Sequence, residues 1–231
     1  MERRARLTGT GRCRDRDREL TRFVGRHGLV RIGQVMEAME VGRTAAYRRV
    51  ATCVDAGLLE GIELLRSEPR LLRASREGLR YAGLGLPVAE ISPGTVDHWL
   101  RCTSTALQIA KKLGDERVLT EREIVLAEQI AERPIASAEV GSLPDGKPRM
   151  HRADLAILAD GGTVAVEVEL TPKAPRRLET LIRAWRRAIS AGTVVEVHYL
   201  CEPGQTRSAV ERAVANAQAQ DFIAILKAVP R

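Results

Sequence analysis

Aromatic residues are scarce in this chain: Phe, Trp and Tyr together make 3% of its 231 residues. The cores must therefore be mainly aliphatic, and a hydrophobic content of 44% is ordinary for a globular protein. Cysteine is also sparse. Cys13, Cys53, Cys102 and Cys201 stand far apart with no CxxC pair, which argues against a disulfide framework or a structural zinc and for reduced thiols in a cytoplasm. No apolar run approaches the length of about eighteen residues that a membrane span needs, so no membrane partner is expected. The first residues, Met1-Glu2-Arg3-Arg4, lack the apolar segment of a signal peptide. HExxH, Walker A, GxSxG and dinucleotide-binding fingerprints are missing too. Nucleotide hydrolysis, acyl transfer and redox chemistry are thus poorly supported, and no small-molecule cofactor is evident.

Lysine is missing from residues 1–86, where every basic residue is arginine. That stretch holds eighteen arginines against eleven acidic residues, a surplus of seven, whereas the remainder is balanced at nineteen of each sign. Arginine suits bidentate contacts with phosphate and guanine. The asymmetry favours a nucleic-acid partner held by the first part of the chain over a merely solvated arginine-rich surface.

Three segments follow along the chain. Residues 1–17 alternate Arg and Asp with few apolar groups and read as a flexible basic arm. Residues 18–86 read as helices over 18–28, 32–39 and 43–55, two short strands at 62–66 and 70–74, and a helix over 76–82. Leu84-Gly85-Leu86-Pro87 is a linker, and 87–231 reads as an α/β domain. Its expected elements are helices at 95–113 and 120–131, a polar loop at 141–148, strands at 153–159 and 163–170, a helix at 175–190, a strand at 194–201, a helix at 206–218 and a strand at 222–229.

Three helices and a hairpin are the element order of a winged helix-turn-helix. The stretch Gly42-Arg43-Thr44-Ala45-Ala46-Tyr47-Arg48-Arg49-Val50, with Asp55-Ala56-Gly57-Leu58-Leu59, resembles the recognition helix of that family. Major-groove reading needs donors near the helix start, and Arg43, Thr44, Tyr47 and Arg48 are placed for it. Arg66, Arg70 and Arg73 on the hairpin would meet phosphates or the minor groove. Use of the same domain for protein contacts is the alternative.

The most informative stretch lies further on. Asp154 sits in the apolar run Ala153–Ala159, a turn follows at Asp160-Gly161-Gly162, and Thr163–Leu170 alternates valines with Ala165, Glu167 and Glu169. Residues two apart in a strand share a face, so Glu167 and Glu169 point the same way. With Asp154 across from them, three carboxylates converge, and carboxylates so placed repel unless a hard cation such as Mg²⁺ or Mn²⁺ joins them. An edge hairpin whose glutamates face water shows the same alternation, so the residues alone leave the two readings level. His151 is near enough to be a ligand or shuttle, although a lone histidine at a strand start is commonly neither.

An Asp on one hairpin strand and Glu-x-Glu on the next resembles the PD-(D/E)xK, or restriction-endonuclease-like, fold. The resemblance implies that Asp154 and Glu167 hold the metal and that Glu169 occupies the position of a lysine that activates water. Glu169 would then be a further ligand or the base, or Lys173, Arg176 or Arg177 would supply the positive charge. Glu121 or Glu123 on the preceding helix would complete the acid set, with Glu121 preferred. Pro175 starts a helix whose amides and Arg176 would meet a phosphate.

A longer match runs from Leu84-Gly85-Leu86-Pro87-Val88 through Val166-Glu167-Val168-Glu169-Leu170-Thr171-Pro172-Lys173-Ala174-Pro175-Arg176-Arg177-Leu178 to the end. It is similar to the replication-relaxation family of actinobacterial plasmids, integrative elements and phages. This resemblance implies a winged helix joined to a nuclease-like α/β domain. It further implies a regulator, or an accessory in replication or mobilisation, that binds double-stranded DNA, with Mg²⁺- or Mn²⁺-dependent cleavage by Asp154, Glu167 and Glu169 as the alternative. A homodimer is expected, since both folds commonly pair and palindromic sites reward two-fold symmetry.

Overall fold

A computed structural model describes residues 11–63 and 70–229, and it is a mixed α/β protein. The chain divides into two compact units, residues 1–103 and 104–231.

The first unit opens with helix α1 (Gly11–His27), followed by β1 (Val30–Arg31), α2 (Ile32–Ala38) and α3 (Arg43–Asp55). Strands β2 (Leu59–Ile62) and β3 (Leu71–Ala74) then lead into α4 (Arg76–Tyr81). The three strands form an antiparallel sheet in the order β1-β3-β2, with Val30 opposite Leu72 and Leu59 opposite Ala74. Leu20 and Val24 of α1 are fully buried, as are Ala46 and Cys53 of α3. Ser75 caps α4: its hydroxyl accepts from the Gly78 amide at 2.9 Å and donates to the Gly57 carbonyl at 2.6 Å.

Several sequence expectations shift here. Residues 11–17 belong to a helix rather than an arm, because Asp17 accepts an ion pair from Arg49 of α3 at 2.8 Å. Residues 1–10 lie outside the described residues, as does Arg66. The first hairpin strand ends at Ile62 instead of beginning there. The expected boundary at the 84–87 linker is displaced to 103/104, inside a helix α5 (Val96–Leu113). The reason is packing: Val96 and Leu100 share a buried cluster with Leu29 and Leu71, and Gln34 Nε2 donates to the Leu100 carbonyl at 2.7 Å.

In the second unit, β4 (Val118–Thr120) precedes α6 (Glu121–Ala131), and four strands follow: β5 (Ser137–Ser142), β6 (Pro148–Arg152), β7 (Leu155–Ala159) and β8 (Gly162–Glu169). The chain continues as α7 (Pro175–Ser190), β9 (Glu196–Cys201), α8 (Gln205–Asn216) and β10 (Ile223–Lys227). A five-stranded sheet runs in the order β10-β9-β8-β7-β4. The β4-β7 and β7-β8 pairs are antiparallel, and β8-β9-β10 are parallel through the crossovers α7 and α8. One sheet face sets Ala156, Ala165, Val197 and Tyr199 against Leu178, Ile182 and Trp185 of α7 and Val210 and Val214 of α8. The opposite face sets Leu155, Ile157, Val164, Val166 and Leu200 against Ala106 of α5.

Two departures matter for the site. The segment read as a polar loop at 141–148 is largely the tip of a hairpin, β5 paired with β6 in a separate two-stranded sheet. The strand β8 is covered on both faces rather than half-exposed, from Val164 through Glu169. Among the described residues no helix is long and apolar enough to cross a membrane.

Candidate functional site

Glu167 and Glu169 lie on one face of β8, as the alternation predicts, but that face is covered, as the other is. Glu167 is 1% exposed and Glu169 4%, so the reading in which they face water is set aside. A buried carboxylate must be paired, and each of these is. Glu167 Oε1 accepts from His151 Nε2 of β6 at 2.7 Å and from Trp185 Nε1 of α7 at 3.1 Å. Lys173, on the segment between β8 and α7, donates to Glu169 Oε1. The third acid, Asp154, falls immediately before β7 and uses Oδ2 to accept the Val168 amide of β8 at 2.7 Å.

The electrostatics follow from burial. Desolvation raises the Glu167 carboxyl above its ordinary range, opposed by the hydrogen bond and charge of His151 and reinforced by Asp154. For His151 burial works against the charged ring, but the hydrogen bond to and charge of Glu167 outweigh it and raise the imidazole. Tyr199 is the register partner of Glu167 on the adjacent parallel strand β9. Its hydroxyl is held well above its ordinary pKa by burial and by Glu167, Glu169 and Asp154, so it stays a donor. That hydroxyl is fully buried and has no hydrogen-bond partner. Burial and Glu169 push the Cys201 thiol up to about 12, which makes it inert as a nucleophile.

Three carboxylates stand at one end of the sheet, beside a buried Tyr199 hydroxyl that has no hydrogen-bond partner among the described residues. The oxygens of Asp154, Glu167 and Glu169 are not gathered within 4.8 Å of one another as a trio among the described residues. Lys173 holds Glu169, so Glu169 joins an ion only by exchanging that partner. Lys173 also lines a groove of about 770 Å³ with Pro172, Pro175, Gln205, Ser208 and Arg212.

The remaining expected residues are distributed as follows. Arg176 and Arg177 are exposed in the first turn of α7, which begins at Pro175. Glu121 is exposed at the start of α6, and its amide donates to the Asp154 carbonyl at 3.0 Å, which joins the two backbones. Glu123 is committed to a capping box: it accepts from the Thr120 amide at 3.0 Å. Sequence reasoning missed Trp185 and Tyr199 as site residues, since an inward Trp on a helix and a Tyr in a strand read as core.

In the first unit, Arg43, Thr44, Tyr47 and Arg48 are all exposed on α3, near its N-terminal end. The Arg43 guanidinium lies 5.6 Å from the Tyr47 ring centroid. The described hairpin arginines, Arg70 and Arg73, have partners within the chain. Arg73 bonds Glu60 Oε2 at 2.5 Å and the Ala89 carbonyl at 3.0 Å, and Arg70 pairs with Glu63 at 2.8 Å. Arg73 is thereby part of the fold's own hydrogen bonding. No protein-family model matches this chain, and comparison with curated proteins finds no match either.

Proposed function

We propose that this chain is a double-stranded-DNA-binding protein. In this reading, the first unit acts as a winged helix-turn-helix and the second as a variant of the restriction-endonuclease-like fold. The observation that carries it is the α3 surface, where Arg43, Thr44, Tyr47 and Arg48 stand exposed together near a helix start. Such donors reach base edges when the helix lies in a major groove. The arginine surplus of residues 1–86 supports phosphate contacts around it. The role is that of a regulator or an accessory in replication or mobilisation of a plasmid, integrative element or phage, in the cytoplasm and as a homodimer. The test is binding of the full chain to duplex and to single-stranded DNA between about 50 and 200 mM salt, where phosphate-led binding weakens steeply. Preference for duplex with that salt dependence supports the reading, and salt-independent or absent binding rejects it.

A second reading has its own support. Lys173 brings a positive charge to the acid cluster that the Glu169 position lacks. This favours Mg²⁺- or Mn²⁺-dependent cleavage of DNA. Asp154, Glu167 and Glu169 would hold the ion, which when bound supplies Lewis-acid activation of water and stabilises charge on the phosphodiester. Lys173 would exchange Glu169 for the scissile phosphate and hold it in the groove that Lys173 lines. Nicking of supercoiled plasmid that depends on Mn²⁺ and disappears in Asp154→Asn and Glu167→Gln would establish this reading. Intact plasmid at full occupancy would leave the binding role alone.

A further inference from the structure

We propose that β10 is the dimer interface of this chain: its outer edge pairs antiparallel with the same edge of a second copy, joining two five-stranded sheets into one. This rests on the homodimer of the proposed function and names the surface that forms it.

β10 stands at one end of the sheet order, and among the described residues no strand pairs with its outer side. The Val197 amide donates to the Phe222 carbonyl at 3.1 Å, and the Ala228 amide to the Cys201 carbonyl at 2.9 Å. Backbone groups alternate along a strand, so Phe222, Ala224, Leu226 and Ala228 turn theirs toward β9. Ile225 and Lys227 therefore turn theirs outward. Ile223 does so too, with its amide held by the Ala219 carbonyl at 3.1 Å. An open edge is a template for another strand unless proline, a bulge, charge or short length protects it. The opposite edge, β4, has such protection, being three residues long and running straight into α6. β10 is longer and apolar as far as Lys227.

The order of residues about Ala224 identifies the partner as a second copy. From Asp221 to Lys227 the chain reads acid, large apolar, β-branched, small, β-branched, large apolar, base. A two-fold axis at Ala224 sets Asp221 opposite the partner's Lys227, Phe222 opposite the partner's Leu226 and Ile223 opposite the partner's Ile225, each contact made twice. Directly opposed residues project to the same face of the joined sheet and touch there. Phe222 and Leu226 are 40% and 44% exposed in the single chain, and this pairing covers each with the other. Asp221 and Lys227 are both exposed and of opposite sign, so they select the register. Centring the axis on Ile225 instead would set Lys227 opposite Ile223 and leave Asp221 unmatched.

The experiment is sedimentation equilibrium of the full chain between about 1 and 100 µM, a range that spans the micromolar affinities of modest interfaces. It compares wild type with Lys227→Asp, Asp221→Lys, the double variant Asp221→Lys/Lys227→Asp, and Leu226→Glu. The substituted positions are exposed, and melting curves check that each variant folds. The expected result is a wild-type dimer, weakened at least about fivefold in either single charge variant, where like charges oppose twice. The double variant, which restores opposite signs at unchanged net charge, should return to within about threefold of wild type. Leu226→Glu, which forfeits the apolar contact on both sides of the axis, should weaken the dimer at least about tenfold. A dimer that none of these changes weakens, or a double variant as weak as the singles, overturns β10 as the interface while leaving the homodimer. A wild type that stays monomeric throughout removes the homodimer and this inference together, and duplex binding, read separately by fluorescence anisotropy, still decides the role of α3.

Discussion

Asp154 spends one carboxylate oxygen on the backbone: Oδ2 accepts the Val168 amide of the neighbouring strand at 2.7 Å. Asp154 thus lengthens the β7–β8 ladder by one bond beyond Leu155 while facing the acid cluster. A buried amide left without its acceptor costs about 1–3 kcal/mol. Asp154→Ala should therefore lower the melting temperature of the full chain by several degrees, whereas Asp154→Asn keeps an acceptor and should melt near wild type. In the cleavage reading both variants lose activity. Equal melting of the alanine variant and wild type would show that the Val168 bond contributes nothing.

His27 lies inside the first unit, with its ring 4.8 Å from that of Phe23. Burial, and secondarily Arg26, lower its pKa from 6.5 to about 3. The unfolded chain then binds a proton between those values that the folded chain refuses, so stability present above pH 6.5 is lost as pH falls toward 3. At pH 5 the loss is about 2 kcal/mol. Urea unfolding at pH 7 and pH 5 should show it in wild type, and His27→Phe should flatten that difference. An unchanged pH dependence in the variant would place the acid sensitivity elsewhere.

Gly28 ends α1 with φ +76, and a Cβ there would run into the Trp99 ring. Gly28→Ala incurs both a left-handed backbone penalty and a clash in the Leu29–Val96–Leu100 cluster. It should destabilise the first unit by about 2 kcal/mol or more, seen as a lower urea midpoint by Trp fluorescence. A change below about 0.5 kcal/mol, the scale of an ordinary surface substitution, would mean that the ring moves aside freely.

The legible parts of this chain were those with a strong period. The alternation of β8 placed Glu167 and Glu169 on one face, and α3 falls within the helix expected over 43–55. Period alone does not say what covers a face, so the burial of both glutamates was not legible. The β5–β6 hairpin escaped because β6, Pro148–Arg152, carries almost no apolar alternation. With it went the placement of His151, which depends on that pairing. The start of α1 was hidden by its composition: alternating Arg and Asp reads as unstructured until Asp17 is seen paired with Arg49.

Arg73 and the α3 arginines of the first unit differ in their surroundings. It is engaged with Glu60 and the Ala89 carbonyl, whereas Arg43 and Arg48 stand on the exposed face of α3. The most direct measurement is fluorescence anisotropy of a labelled duplex titrated with the full chain across a salt series. It compares wild type, Arg43→Ala/Arg48→Ala and Arg73→Ala. The account predicts that the double variant binds more weakly at every salt concentration, with a salt slope shallower by about one for each phosphate it no longer neutralises. Folded Arg73→Ala should retain wild-type affinity. A double variant that binds duplex DNA as tightly as wild type, with the same salt slope, would contradict the assignment of α3 as the DNA-reading helix.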